Sequence, residues 1–106
     1  MTATVTRVVH IRLGDDHKAE AADVAAAALR RFPHIPGVTS VWAGTPTDHD
    51  DADVLLLVGF ARLDDVEPYR SHPLHVAFLN DELAPRGAAV SAKNYATPSA
   101  SGTASS

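Results

Sequence analysis

The sequence predicts one α+β domain, a four-stranded antiparallel sheet with helices on one face. Three observations predict it. Four separated stretches are rich in β-branched and apolar residues, two others repeat apolar residues at helical spacing, and their order is strand, helix, two strands, one broken helix, strand. A chain of 106 residues fits one domain. Its 45% apolar content is enough for a core, since folding at this size buries roughly 60–70% of the unfolded surface. The expected division is a folded domain over residues 1–96 and a Ser/Thr/Ala-rich tail over 97–106, where TPSASGTASS has nothing to bury and reads as disordered.

Residues 4–13 (TVTRVVHIRL) form the first expected strand, stopped by Gly14-Asp15-Asp16. Alternation puts Arg7, Val9, Ile11 and Leu13 on one face and Val8, His10 and Arg12 on the other. Asp15 or Asp16 is expected to cap a helix running to Phe32, with Ala-rich interior and Pro33 as its stop. Ala21, Val24, Ala25, Ala28, Leu29 and Phe32 give it a shallow apolar face. Ile35-Pro36-Gly37 turns the chain into a second strand, Val38 to Gly44, and the acidic stretch 45–53 (TPTDHDDAD) reads as a solvated loop. Val54 to Leu63 is the most apolar stretch and reads as a central strand, with Gly59 marking a bulge or a close approach. Asp64 with Glu67 matches a capping box and opens a short helix carrying Tyr69. His72-Pro73 restarts it, Pro suiting a first helical position, and the restarted helix carries His75, Phe78, Leu79 and Leu83 to the break at Pro85-Arg86-Gly87. Ala88 to Ala96 alternates weakly as the fourth strand.

Composition excludes several classes of function. Nine Lys+Arg against 13 Asp+Glu leave a net charge of −4, so no basic surface stands ready for phosphates and no nucleic-acid partner is expected. The chain has no cysteine, which removes disulfides, thiolate metal sites and a Cys nucleophile. The longest uninterrupted aliphatic run, Val54 to Val58, is far short of the roughly 20 residues of a membrane span. The start, MTATVTR, has neither the basic opening nor the apolar middle of a secretory signal, so a soluble cytoplasmic protein without a membrane partner is expected. A sheet with helices on one face leaves its other face apolar, and a second copy of the chain is the natural cover.

The segment Tyr69-Arg70-Ser71-His72-Pro73-Leu74-His75 carries the most specific pattern, a tyrosine and paired histidines around a proline. With IPGVTSVWAG at 35–44, the Phe60 strand followed by an acidic helix start, and the closing Asn94-Tyr95, the sequence resembles the stress-responsive A/B barrel (Dabb) domain family over about residues 6–96. That resemblance implies a ferredoxin-like sheet and a homodimeric α+β barrel. It also implies one of two kinds of protein: a cofactor-free enzyme, such as polyketide cyclases of the olivetolic acid cyclase type or hydroxynitrile lyases, or a stress protein without a defined reaction. In the cyclase type the motif's tyrosine and second histidine are catalytic, and by spacing they fall on Tyr69 and His75. An aldol-type ring closure needs a base near neutral pH, which histidine supplies, and a donor to the developing oxyanion, which a buried phenol supplies. No metal or redox cofactor is required.

The expected substrate-binding residues are Arg7, Val9, Ile11, Val24, Ala25, Ala28, Val66, Phe78, Val90 and Asn94. Where family members often have Asp before the closing tyrosine, this chain has Asn94, which can orient an imidazole but brings no charge. The cyclase type has a histidine early in the first strand; here the matching position is Arg7, suited to hold a carboxylate or phenolate. Small residues Val24, Ala25 and Ala28, with Gly87 and Val90, leave two outcomes open: a larger cavity for a bulkier polycyclic or long-chain substrate, or a helix packed closer. His72 reads as a helix cap, and a metal reading of His72 and His75 needs further ligands from Asp48, His49, Asp50 and Asp51. Trp42 reads as core or dimer packing. The leading function is a small-molecule cyclase or lyase of secondary metabolism acting on a polyketide-like carbonyl compound. The alternatives are a non-catalytic dimeric stress-responsive or ligand-binding protein and, by fold analogy alone, a cofactor-free oxygenase.

Overall fold

The structure, a computed structural model, describes residues 4–48 and 52–98. Strands β1 (Val5–Arg12), β2 (Val38–Gly44), β3 (Val54–Phe60) and β4 (Ala89–Ala96) form one sheet in the order β2-β3-β1-β4, with every neighbouring pair antiparallel. The helices are α1 (Ala21–Arg31), α2 (Val66–Ser71) and α3 (Pro73–Phe78). Strands β1 and β3 are central and carry the buried apolar residues of the sheet, which leaves β2 and β4 as edges. Register pairs Arg7 with Val58 and Asn94, Val9 with Leu56 and Ala92, and Ile11 with Val54 and Val90. These residues therefore share the helix-covered face, where Val9, Ile11, Val54, Leu56, Val58 and Phe60 are buried. Val8 and His10 share the other face with Leu55, Leu57 and Trp42.

Three expected elements differ. The first helix does not start on an Asp cap: Asp15–Glu20 is a 3-10 segment, its N-cap is Gly14, and neither Asp15 nor Asp16 caps through its side chain. Tertiary contacts override the local signal here. The Gly14 N–H is tied to the Arg86 carbonyl at 2.8 Å, and Asp53 draws the following turn in by accepting from the Leu13 N–H at 2.7 Å and from Lys18 at 2.8 Å. The capping box of Asp64 and Glu67 does not form, because each carboxylate pairs with a nearby guanidinium, Asp64 with Arg62 and Glu67 with Arg70. The third strand ends at Phe60, opposite the first residues of β1 and β2, and Leu63 lies outside the sheet.

Other expectations hold in detail. A Cβ at Gly59 would run into the Ser40 hydroxyl, and the β2–β3 register shifts between Val38 and Ser40, so the position is a close approach that faces a bulge in β2. The chain breaks between α2 and α3 at His72, which takes extended backbone angles while its Nδ1 accepts from the Leu74 N–H at 3.1 Å. Beyond α3 the chain passes through a π segment, Leu79–Leu83, that no sequence signal announced, and a 3-10 turn ends in left-handed Gly87. Thr97, assigned to the tail by composition, donates its N–H to the Thr4 carbonyl at 2.8 Å. The rest of that expected tail beyond Pro98 lies outside the described residues, as do His49, Asp50 and Asp51.

Candidate functional site

A cavity of about 220 Å³ opens between the covered face of the sheet and the α2–α3 segment. Arg7, Val9 and Ile11 of β1 form its floor with Leu56, Val90 and Ala92, and Tyr69, Arg70, His75, Phe78, Leu79 and Leu83 close it from the helical side, with Phe32 between. Tyr69 and His75 come together because Pro73 restarts the helix and turns the second histidine back over the first turn. Their ring centroids lie 4.6 Å apart at 53°. Phe32, Phe60 and Phe78 brace the pair: Tyr69 meets Phe32 at 5.5 Å and Phe60 at 5.1 Å in edge-on contacts, and Phe32 meets Phe78 at 4.9 Å.

The hydrogen bonds assign protons. His75 Nδ1 lies 2.9 Å from the Arg70 carbonyl; a carbonyl only accepts, so Nδ1 carries the hydrogen and Nε2 keeps the lone pair. Burial lowers the His75 pKa, outweighing the Arg70 carbonyl bond, and the charge of Arg7 lowers it further. Burial pushes the Tyr69 phenol well up, against a smaller lowering by Arg7. Near neutral pH the cavity thus holds a neutral imidazole able to take a proton and a protonated phenol able to donate one. Arg7 Nη1 donates to Asn94 Oδ1 at 2.9 Å, so the Asn94 carbonyl orients a guanidinium and not an imidazole.

Several expected lining residues stand elsewhere. Val24, Ala25, Ala28 and Val66 are buried in the core and do not line this cavity. The small face of α1 lets the helix close onto the sheet, so the larger cavity does not arise: about 220 Å³ is below the roughly 300–1,000 Å³ of pockets for drug-sized ligands. Asn94 does not line the cavity but meets Arg7, which does. Sequence reasoning missed Phe32, Leu56, Arg70, Leu79, Leu83 and Ala92. The α1 pattern already turned Phe32 inward, but nothing local announces that the Arg70 carbonyl fixes His75 across a helix break. His72 serves as a cap and does not line the cavity, and no cluster of three His, Cys, Asp or Glu suited to a metal occurs among the described residues. A wider hollow of about 500 Å³ lies on the opposite sheet face among His10, Trp42, Asp48 and Leu55, but the histidine–tyrosine pair is not in it.

The model of the stress responsive A/B barrel domain matches residues 5–89. The chain belongs to this family. Solved structures of the same fold include a Dabb protein from Mesorhizobium loti with a ferredoxin-like fold, at 22% identity and TM-score 0.70 over 89% of this chain and 96% of that one. A dimeric ferredoxin-like protein of unknown function from Bacteroides fragilis has 21% identity and TM-score 0.71 over the same shares, 89% and 96%. SnoaB, a cofactor-independent oxygenase from Streptomyces nogalater, has 16% identity and TM-score 0.69 over 92% and 95%. None of the curated proteins matches the Dabb chain by sequence. The ferredoxin-like α+β fold is thereby established. Among the described residues no helix is long and apolar enough to cross a membrane.

Proposed function

We propose that this Dabb protein is a cofactor-independent acid–base enzyme, a cyclase or lyase acting on a small polyketide-like carbonyl compound as a homodimer. One observation carries the reading: Tyr69 and His75 share one largely apolar cavity, with Nε2 of His75 as the basic nitrogen. In the reaction, Nε2 removes an acidic C–H proton beside a carbonyl, and the Tyr69 O–H donates to the enolate or alkoxide oxygen as charge builds there. In a ring closure the enolate carbon attacks a second carbonyl of the same molecule, and the imidazolium returns its proton to the new alkoxide. No electron leaves the substrate, so the step needs no oxidant.

Turnover of a short linear poly-β-keto acid, followed by product absorbance, tests this. His75→Ala should lower kcat by roughly 10²–10⁴-fold and Tyr69→Phe by about 10²–10³-fold. Equal rates in wild type and both variants would favour a non-catalytic binding protein. A second reading, a cofactor-independent oxygenase, draws support from the likeness in fold to SnoaB and from the same base: a deprotonated phenolic substrate is the species that reacts with dioxygen. Oxygen uptake with a phenolic substrate, abolished in His75→Ala, would favour it over ring closure.

A further inference from the structure

We propose that the cavity is selective for a compact organic carboxylate, held by Arg7, and that Asn94 is the positioning residue that keeps Arg7 ready for it. This deepens the proton-transfer reading of the same cavity, on which it rests, by naming the substrate's charge and size.

The argument begins with an unbalanced charge. Arg7 is partly buried and lines a cavity to which Arg70 also contributes and no carboxylate residue does. Arg70 is paired, its Nη1 donating to Glu67 at 2.7 Å. Arg7 has no carboxylate partner among the described residues; its one described side-chain bond goes to the neutral oxygen of Asn94. Charges drawn out of water ordinarily find a counter-ion. A guanidinium has five N–H donors in a planar fork that matches a carboxylate, and the Asn94 bond uses only part of that fork while fixing its orientation.

The strand pairing explains why the counter-ion is not internal. Arg7 and Asn94 are directly opposite in the β1–β4 register, so an Asp at position 94 would neutralise the guanidinium within the protein. Asn keeps the geometry and leaves the charge to the ligand. Size follows from the walls. About 220 Å³ between Val9, Ile11, Leu56 and Phe78 admits a single ring or a short chain, so the ligand is a small apolar body with one carboxylate at its Arg7 end.

Benzoate and benzamide share shape and differ in charge, so their binding, measured by calorimetry at low ionic strength, tests the proposal. Wild type should prefer benzoate by roughly 10–100-fold, the range of a charge-assisted pair against a neutral one. Arg7→Gln should erase the preference, and Asn94→Asp should do the same by supplying an internal partner, with benzoate losing more affinity than benzamide in both variants. Should Arg7→Gln fail to fold, the Asn94→Asp variant and the wild-type comparison still decide. Equal affinities in wild type, binding of neither probe at millimolar concentration, or a preference that survives both substitutions would overturn the proposal. Failure of the proton-transfer reading is seen separately: His75→Ala and Tyr69→Phe would then turn over like wild type while the benzoate preference persisted.

Discussion

His75 is subject to opposed influences, and their balance sets its response to pH. Burial and the charges of Arg7 and Arg70 favour the neutral ring, the Arg70 carbonyl favours the cation, and burial dominates. If its Nε2 is the base, the acid limb of the rate profile should fall below the ordinary histidine value of about 6.5, and activity should persist into mildly acidic solution. The sign for stability follows by linkage. Between the lowered folded pKa and the ordinary unfolded one, the unfolded chain binds more protons, so this contribution is complete above the unfolded value and declines as pH falls through that window. His75→Gln should flatten that part of the melting temperature against pH; an unchanged slope would show that other groups carry it. Tyr69 gives a second, opposite kind of prediction. Its ring is buried at 1% exposure, and no hydrogen bond to its hydroxyl occurs among the described residues. Since the substitution keeps the ring packing and leaves no hydrogen-bond partner of the hydroxyl unpaired, Tyr69→Phe should lose activity while melting close to the wild-type temperature.

The α1 helix shows how packing decides what residue types leave open. Its Ala25, Ala27 and Ala28 are buried against the sheet, and a side chain that small fits either a closer helix or a wider cavity. Contact with β2 and β3 selects the closer helix. Ala28→Leu should therefore destabilise the domain by about 1–3 kcal/mol through overpacking, read as a lower urea midpoint at unchanged slope; a neutral result would mean that the helix can ride outward. Other features divide along the same line. Period-two alternation groups Arg7, Val9 and Ile11 on one face and His10 on the other, leaving to the helices which face is covered, and the His-Pro break is legible because Pro73 has no N–H to give. What escaped the sequence depends on distant partners. The Asp caps yielded to Gly14–Arg86 and Lys18–Asp53 contacts, and Asn94 turned to Arg7 across a strand pair. The π segment is locked from outside as well, since Glu82 meets both Arg31 and Arg86 at 3.1 Å.

At the scale of the whole molecule the two sheet faces are unequal. Helices cover one, while the other presents Trp42 at 52% exposure and Tyr95 at 55%, with Leu57 and Val8 between them and Leu55 beside Leu57 on the same face. An isolated soluble chain rarely leaves so contiguous an apolar patch to water, and large aromatics are the side chains that anchor interfaces. A second copy meets the need symmetrically, because in a two-fold pair the same patch serves both partners. The Bacteroides fragilis neighbour of the same fold is described as dimeric. Sedimentation at micromolar concentration should therefore give twice the 11.2 kDa chain mass. Leu57 faces outward between Val8 and Trp42 in the strand pairing, so Leu57→Asp would bury two unpaired carboxylates at the centre of such an interface, a cost of several kcal/mol per ion. That variant should sediment as a folded 11.2 kDa monomer whose melting temperature no longer rises with protein concentration. A wild-type protein already monomeric at these concentrations would sink the dimer and leave the sheet face without its proposed partner.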